Sequence, residues 1–178
     1  MIVLGIDPGT QVCGWGVVEG RGARLRCRGY GALRLEGPLH TRLDRLFAGL
    51  DEVIRRHGPE VVAVEGIFAH KNARSALILG HARGVALLCA GRAGLPVAEY
   101  PPATIKKTLV GTGRAAKAQV ALMVGRLLSM ERPEPADAAD ALAAAICHLH
   151  RREAPRPSSA GREVRYRSAV VRHRREES

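Results

Sequence analysis

Met1–Thr10 reads MIVLGIDPGT, an apolar run that halts at the turn signal Asp7-Pro8-Gly9. The run predicts a strand with Asp7 at its end, where the side chain projects from the edge of a sheet into a loop region. Val12–Val18 (VCGWGVV) reads as a second strand, and Glu19-Gly20-Arg21-Gly22 follows it as a hairpin-like turn. Arg24–Leu35 is a third strand, polar on one side. Three consecutive strands joined by tight turns predict an antiparallel meander.

The period then changes. Leu39, Leu43, Leu46, Phe47, Leu50, Val53 and Ile54 recur at three- and four-residue spacing, opposite Arg42, Arg45, Asp51 and Arg55. This pattern is an amphipathic helix that ends near His57-Gly58-Pro59. Val61–Val64 is a short β-branched and alanine run, the mark of a buried parallel strand, closed by Glu65-Gly66. A helix is expected from Asn72 to Cys89, dotted with Ala73, Ala76, Gly80 and Gly84, and a fifth strand from Pro96 to Tyr100. Two further helices are expected over Ala116–Leu128 and Pro135–His150. The fold class that follows is α/β: a mixed five-stranded sheet, antiparallel meander plus parallel strands, flanked by helices.

The chain's 178 residues fit one domain with a tail, and 46% hydrophobic content rules out wholesale disorder. Residues 1–150 are expected to form the domain. Residues 151–178 hold nine Arg and four Glu among Pro, Ser and Gly, with no periodic apolar face; a disordered basic tail is expected there. Lys and Arg number 28 against 17 acids, a net charge of +11 and a pI near 10.5. Such an excess attracts polyanions, either nucleic acid or an anionic membrane. The membrane option weakens because the N-terminus lacks signal-peptide form, and the apolar stretch from Val85 to Ala98 is interrupted by Arg92 and Pro96. Cys13, Cys27, Cys89 and Cys147 are scattered without a CxxC pair, which disfavours disulfides and zinc and fits a cytoplasmic protein.

Four acids then draw together. If the first and fourth strands are neighbours, Asp7 and Glu65 end side by side. Asp137 and Asp140, three apart on the last helix, share a face and are expected in its first turn, where carboxylates suit the dipole. Each has a plainer reading: Asp7 makes a turn, Asp137 caps a helix. Glu65 is harder to explain that way, because an acid closing VVAVE seldom helps packing. Grouped carboxylates repel and need a counter-charge. Hard oxygen donors without a His or Cys cluster suit Mg²⁺ or Mn²⁺ rather than zinc. In a basic protein, two such ions imply phosphodiester hydrolysis: one lowers the pKa of an attacking water, the other stabilises the leaving 3′ oxygen.

The blocks GIDPGT, VAVEGIFAHKNARSAL, LGHARGVA, KKTLVGTGRAAKAQV and PADAADALAAAICH, in that order, resemble the RuvC family of Holliday-junction resolvases over about residues 1–150. The resemblance implies a ribonuclease-H-like fold, a homodimer, and metal-dependent symmetric nicking of four-way junction DNA in recombination and repair. Asp7, Glu65, Asp137 and Asp140 fall on its acidic positions. It also implies that Phe68, one of six aromatic residues, stacks on a base beside the site, and that Lys106 and Lys117 lie near the scissile phosphate. Lys71 and Arg74 are further candidates for phosphate contact, and the family suggests a junction-branching motor complex as partner. Alone, Phe68 reads equally as core and the lysines as solvated helix charges. Three rivals remain: a phosphotransferase of the related sugar-kinase fold, which needs two such domains; a junction-binding module without activity; and a nuclease acting on RNA.

Overall fold

The computed structural model describes residues 1–22, 24–66 and 73–153. Five strands form one sheet: β1 (Ile2–Asp7), β2 (Val12–Arg21), β3 (Arg24–Arg34), β4 (Val61–Glu65) and β5 (Val97–Tyr100). Their order is β3-β2-β1-β4-β5. The β1–β2 and β2–β3 pairs are antiparallel, while β1–β4 and β4–β5 are parallel. The expected meander thus occupies one half of the sheet and the parallel strands the other. Among the described residues five helices accompany it: α1 (Leu39–His57), α2 (Ala73–Arg92), α3 (Pro102–Val110), α4 (Lys117–Leu127) and α5 (Ala136–Glu153).

Strand alternation divides the core into two layers. Leu4 and Ile6 of β1, Val17 of β2, and Val62 and Val64 of β4 face α1 and α2, meeting Leu46, Leu50, Ala82 and Ala86. Val3, Val18, Val61 and Ala63 point to the other side, into Leu142 and Ile146 of α5 with Ile105 of α3 and Val124 of α4. Helix α5 is buried along most of its length, and its sequence, ADAADALAAAICHLH, is apolar nearly all round accordingly.

The sequence reading misses α3. Pro101-Pro102 after β5 looks like a stop, yet Pro102 sits in the first turn, where a missing N–H costs nothing, and Gly111 closes the helix in the left-handed region. The basic tail expected over 151–178 overlaps the end of α5, and its residues from 154 onward lie outside the described residues. Among the described residues, no helix is long and apolar enough to cross a membrane.

Candidate active site

Asp7 is the last residue of β1 and Glu65 the last of β4. The register pairs Ile6 with Val64, so the two acids end adjacent parallel strands. By alternation Asp7 follows Val3 and Gly5, and Glu65 follows Val61 and Ala63, so both carboxylates rise on the face covered by α5.

Two glycines bring α5 to them. A Cβ on Gly5 would collide with the carbonyl of Ala141, and one on Gly14 with the carbonyl of Asp137. Gly14 is also the cross-strand partner of Asp7. The first turn of α5 therefore rests on strand backbone beside Asp7, at a distance no side chain permits. Asp137 lies in that first turn; Asp140, expected there too, begins the next one. The sequence reading passed over both glycines, although an isolated strand glycine signals close backbone approach.

The electrostatics register the gathering. Burial pushes the Asp7 carboxyl up to about 8, reinforced by the negative charges of Glu65, Asp140 and Asp137 and opposed by Lys117. Burial, and then Asp140, raise Glu65 above the usual carboxylate range, while Lys117 and Lys106 pull it down. Lys117 opens α4, where the Gln119 side chain accepts a hydrogen bond from the Ala116 N–H, 2.9 Å. Its Nζ donates to Asp140 Oδ2 at 2.7 Å, joining an exposed cation to a largely buried carboxylate. That bond raises the ammonium above its ordinary value. Lys106, on α3, acts on Glu65. The four acids and both lysines thus belong to one electrostatic cluster, drawn from β1, β4, α3, α4 and α5.

The donor set suits a hard divalent cation, which would relieve the repulsion that makes Asp7 hold its proton. As they stand, however, no three His, Cys, Asp or Glu side chains among the described residues are placed to hold a metal ion. One oxygen of Asp140 is already engaged by Lys117. Phe68 and Lys71 lie outside the described residues, as does the side chain of Arg74, whose backbone belongs to the first turn of α2. On the other side of Asp7, Arg42 of α1 donates from Nη1 to the Thr10 carbonyl, 3.1 Å, and ties down the turn that follows the strand.

The chain as a whole is similar to known proteins in sequence and fold. The family model described as "Crossover junction endodeoxyribonuclease RuvC" matches residues 3–148. A protein of that name from Halorhodospira halophila is 53% identical over 154 residues, spanning 86% of this chain and 92% of the relative. Among solved structures, Thermus thermophilus RuvC in complex with Holliday junction substrate superposes with a TM-score of 0.81 at 40% identity, covering 85% of this chain and 94% of that one. The yeast mitochondrial Holliday junction resolvase matches with a TM-score of 0.59 at 15% identity, over 83% of this chain and 77% of its own. That match speaks for the shared ribonuclease-H-like fold alone.

Proposed function

Because this chain belongs to the RuvC family of crossover junction endodeoxyribonucleases, we propose that it resolves four-way DNA junctions by paired symmetric nicks at an acidic centre formed by Asp7, Glu65, Asp137 and Asp140. What supports this reading is the convergence of acids from β1, β4 and α5 on one face of the sheet, which together with burial raises Asp7. A packing or capping role for each acid does not call for that convergence.

Asp7, Glu65, Asp137 and Asp140 would hold two Mg²⁺ or Mn²⁺ ions, which would supply Lewis-acid chemistry for phosphodiester hydrolysis. Asp7 and Glu65, on strand ends, are the fixed donors; Asp137 and Asp140 approach on α5. Asp140 would hold a cation only in exchange for its Lys117 partner, and the Lys117 ammonium would then be placed to meet a non-bridging phosphate oxygen. Lys106 neutralises the same substrate charge from α3. Phe68 stacks on an unpaired base near the crossover, with Lys71 and Arg74 on neighbouring phosphates.

Two symmetric cuts call for two related sites, and a C2 homodimer provides them. The outer face of α2 supports this assembly. Leu77 and Leu88 are 68% and 55% exposed, and a Cβ at Gly80 or Gly84 between them would meet nothing within 4 Å. A shallow cleft of about 840 Å³ runs along this stripe, an apolar surface on which the same helix of a second copy would pack. A junction-branching motor is the further partner that the family suggests.

The test is a cleavage panel: a synthetic four-way junction, a linear duplex and an RNA–DNA hybrid, each with and without Mg²⁺. Paired nicks confined to the junction and dependent on the cation are expected. Equal cutting of duplex or hybrid, or cutting in chelator, contradicts the reading.

A further inference from the structure

A second charged feature lies at the other end of α5. A cleft of about 590 Å³ opens between α3, the segment leading to α4, and the last turn of α5. Lys107, His150 and Arg151 line it with Thr104 and Thr108, and among the described residues no acid does. Among the described residues, none of the three basic side chains makes a salt bridge. The walls are fixed: Thr108 Oγ1 donates to the Thr104 carbonyl at 2.9 Å, and Cys147 Sγ donates to Thr108 Oγ1 at 3.5 Å.

Arg151 is positioned by an aromatic ring and, among the described residues, donates no hydrogen bond to a carboxylate or carbonyl. Its guanidinium carbon lies 6.0 Å from the centre of the Tyr100 ring, and the Tyr100 hydroxyl is hydrogen-bonded to Nδ1 of buried His148 at 2.9 Å. A ring anchored in the core orients the guanidinium and leaves its N–H fork available to a phosphate. The cleft also has a set relation to the acidic centre. Arg151 follows Asp140 by three helical turns, which puts the two on one stripe of α5 about 16 Å apart. On α3, Lys106 acts on Glu65 while its neighbour Lys107 lines the cleft.

A plainer role exists for these basic side chains, since all three sit in last helical turns, where Lys107 and Arg151 complement the helix dipoles. That role is satisfied at each helix end separately and does not require two helices to present their cations to one shared cleft. We infer that the Lys107–His150–Arg151 cleft is a second phosphate-docking site, gripping the backbone of the bound DNA about 16 Å from the acids. This rests on the nuclease reading above. It gives the enzyme a grip on a junction arm that is independent of the cation-dependent centre.

The experiment uses the full chain carrying Asp7→Asn, so that DNA stays intact. Binding to a four-way junction and to a linear duplex is followed by fluorescence anisotropy across a salt series, with and without Lys107→Ala/Arg151→Ala. Each lost phosphate contact removes about 0.9 from the slope of log K against log salt, so the double variant is expected to flatten it by about two. A charge-matched control, Arg55→Ala/Arg56→Ala on the far side of the sheet, is expected to keep the parental slope. If the cleft variant also keeps it, or lowers only the melting temperature, the cations serve helix ends and the inference is overturned. Loss of preference for junction over duplex in the parent sinks the junction reading instead, and the duplex slopes still report on the cleft.

Discussion

The two faces of the sheet are built on opposite principles. Towards α1 and α2 it presents Leu4, Ile6, Val17, Val62 and Val64, and the helices answer with leucines and alanines. Beside Asp7, on the face towards α5, it presents Gly5 and Gly14 among its valines, and there the first turns of the helix answer with alanines and backbone. The first face needs apolar volume, and volume can be supplied in several ways. The second needs one particular distance, because the carboxylates of β1, β4 and α5 meet only if strand and helix backbones touch. Stability is thus spread over the molecule, whereas the chemistry depends on a closeness held at two glycines.

Gly14→Ala attacks that distance and carries a larger expected effect on cleavage than any change on the opposite face. Its methyl group meets the Asp137 carbonyl, so the first turn of α5 must move away from Asp7. A displacement near 1 Å costs on the order of 10²-fold in turnover, read as single-turnover junction cleavage by the folded fraction. Wild-type turnover would mean that the placement of α5 does not matter to the site. Leu50→Ala attacks the opposite face: a loss of about 2–5 kcal/mol is expected in denaturant unfolding, with cleavage per folded molecule unchanged. Were that variant as inactive as Gly14→Ala, the two faces would not be separable.

A third prediction concerns pH. The folded protein holds the Asp7 proton up to about 8, while an unfolded chain releases it near the ordinary value of 3.8. Between those values the folded state binds more protons, so this carboxyl's stabilising contribution falls as pH rises through the window. A cation competes with that proton, and the melting-temperature gain from Mg²⁺ is therefore expected to grow from pH 6 to pH 8. A gain independent of pH, or one retained by Asp7→Asn, would place the cation elsewhere. The smallest effect on the fold is expected from Leu77→Glu. An exposed position shifts stability by only about 0.5 kcal/mol, yet sedimentation should find the 19.1 kDa chain as a monomer in place of the proposed dimer. A stability loss as large as that of Leu50→Ala would show that this face is needed for folding within one chain.

The comparison of faces also explains how much was legible in advance. Alternation and turn chemistry in MIVLGIDPGT and VVAVE were enough to place Asp7 and Glu65 at strand ends, and a three-residue spacing was enough to put Asp137 and Asp140 on one helix face. These are local signals. The roles of Gly5 and Gly14 were not legible, because a strand glycine announces close approach without naming what approaches. Helix α3 was lost behind Pro101-Pro102, although Ile105 and Leu109, four apart, are its buried stripe. The grouping of Arg151 with Lys107 was out of reach for the same reason: it exists only once α3 is packed on α5.

The most direct measurement of the central claim compares the wild-type chain with Asp7→Asn on a synthetic four-way junction in Mg²⁺. The carboxylate centre predicts paired symmetric nicks from the wild type and a fall of about 10³-fold or more in the variant, the loss of several kcal/mol of transition-state stabilisation, with junction binding retained. Wild-type nicking by Asp7→Asn would contradict it.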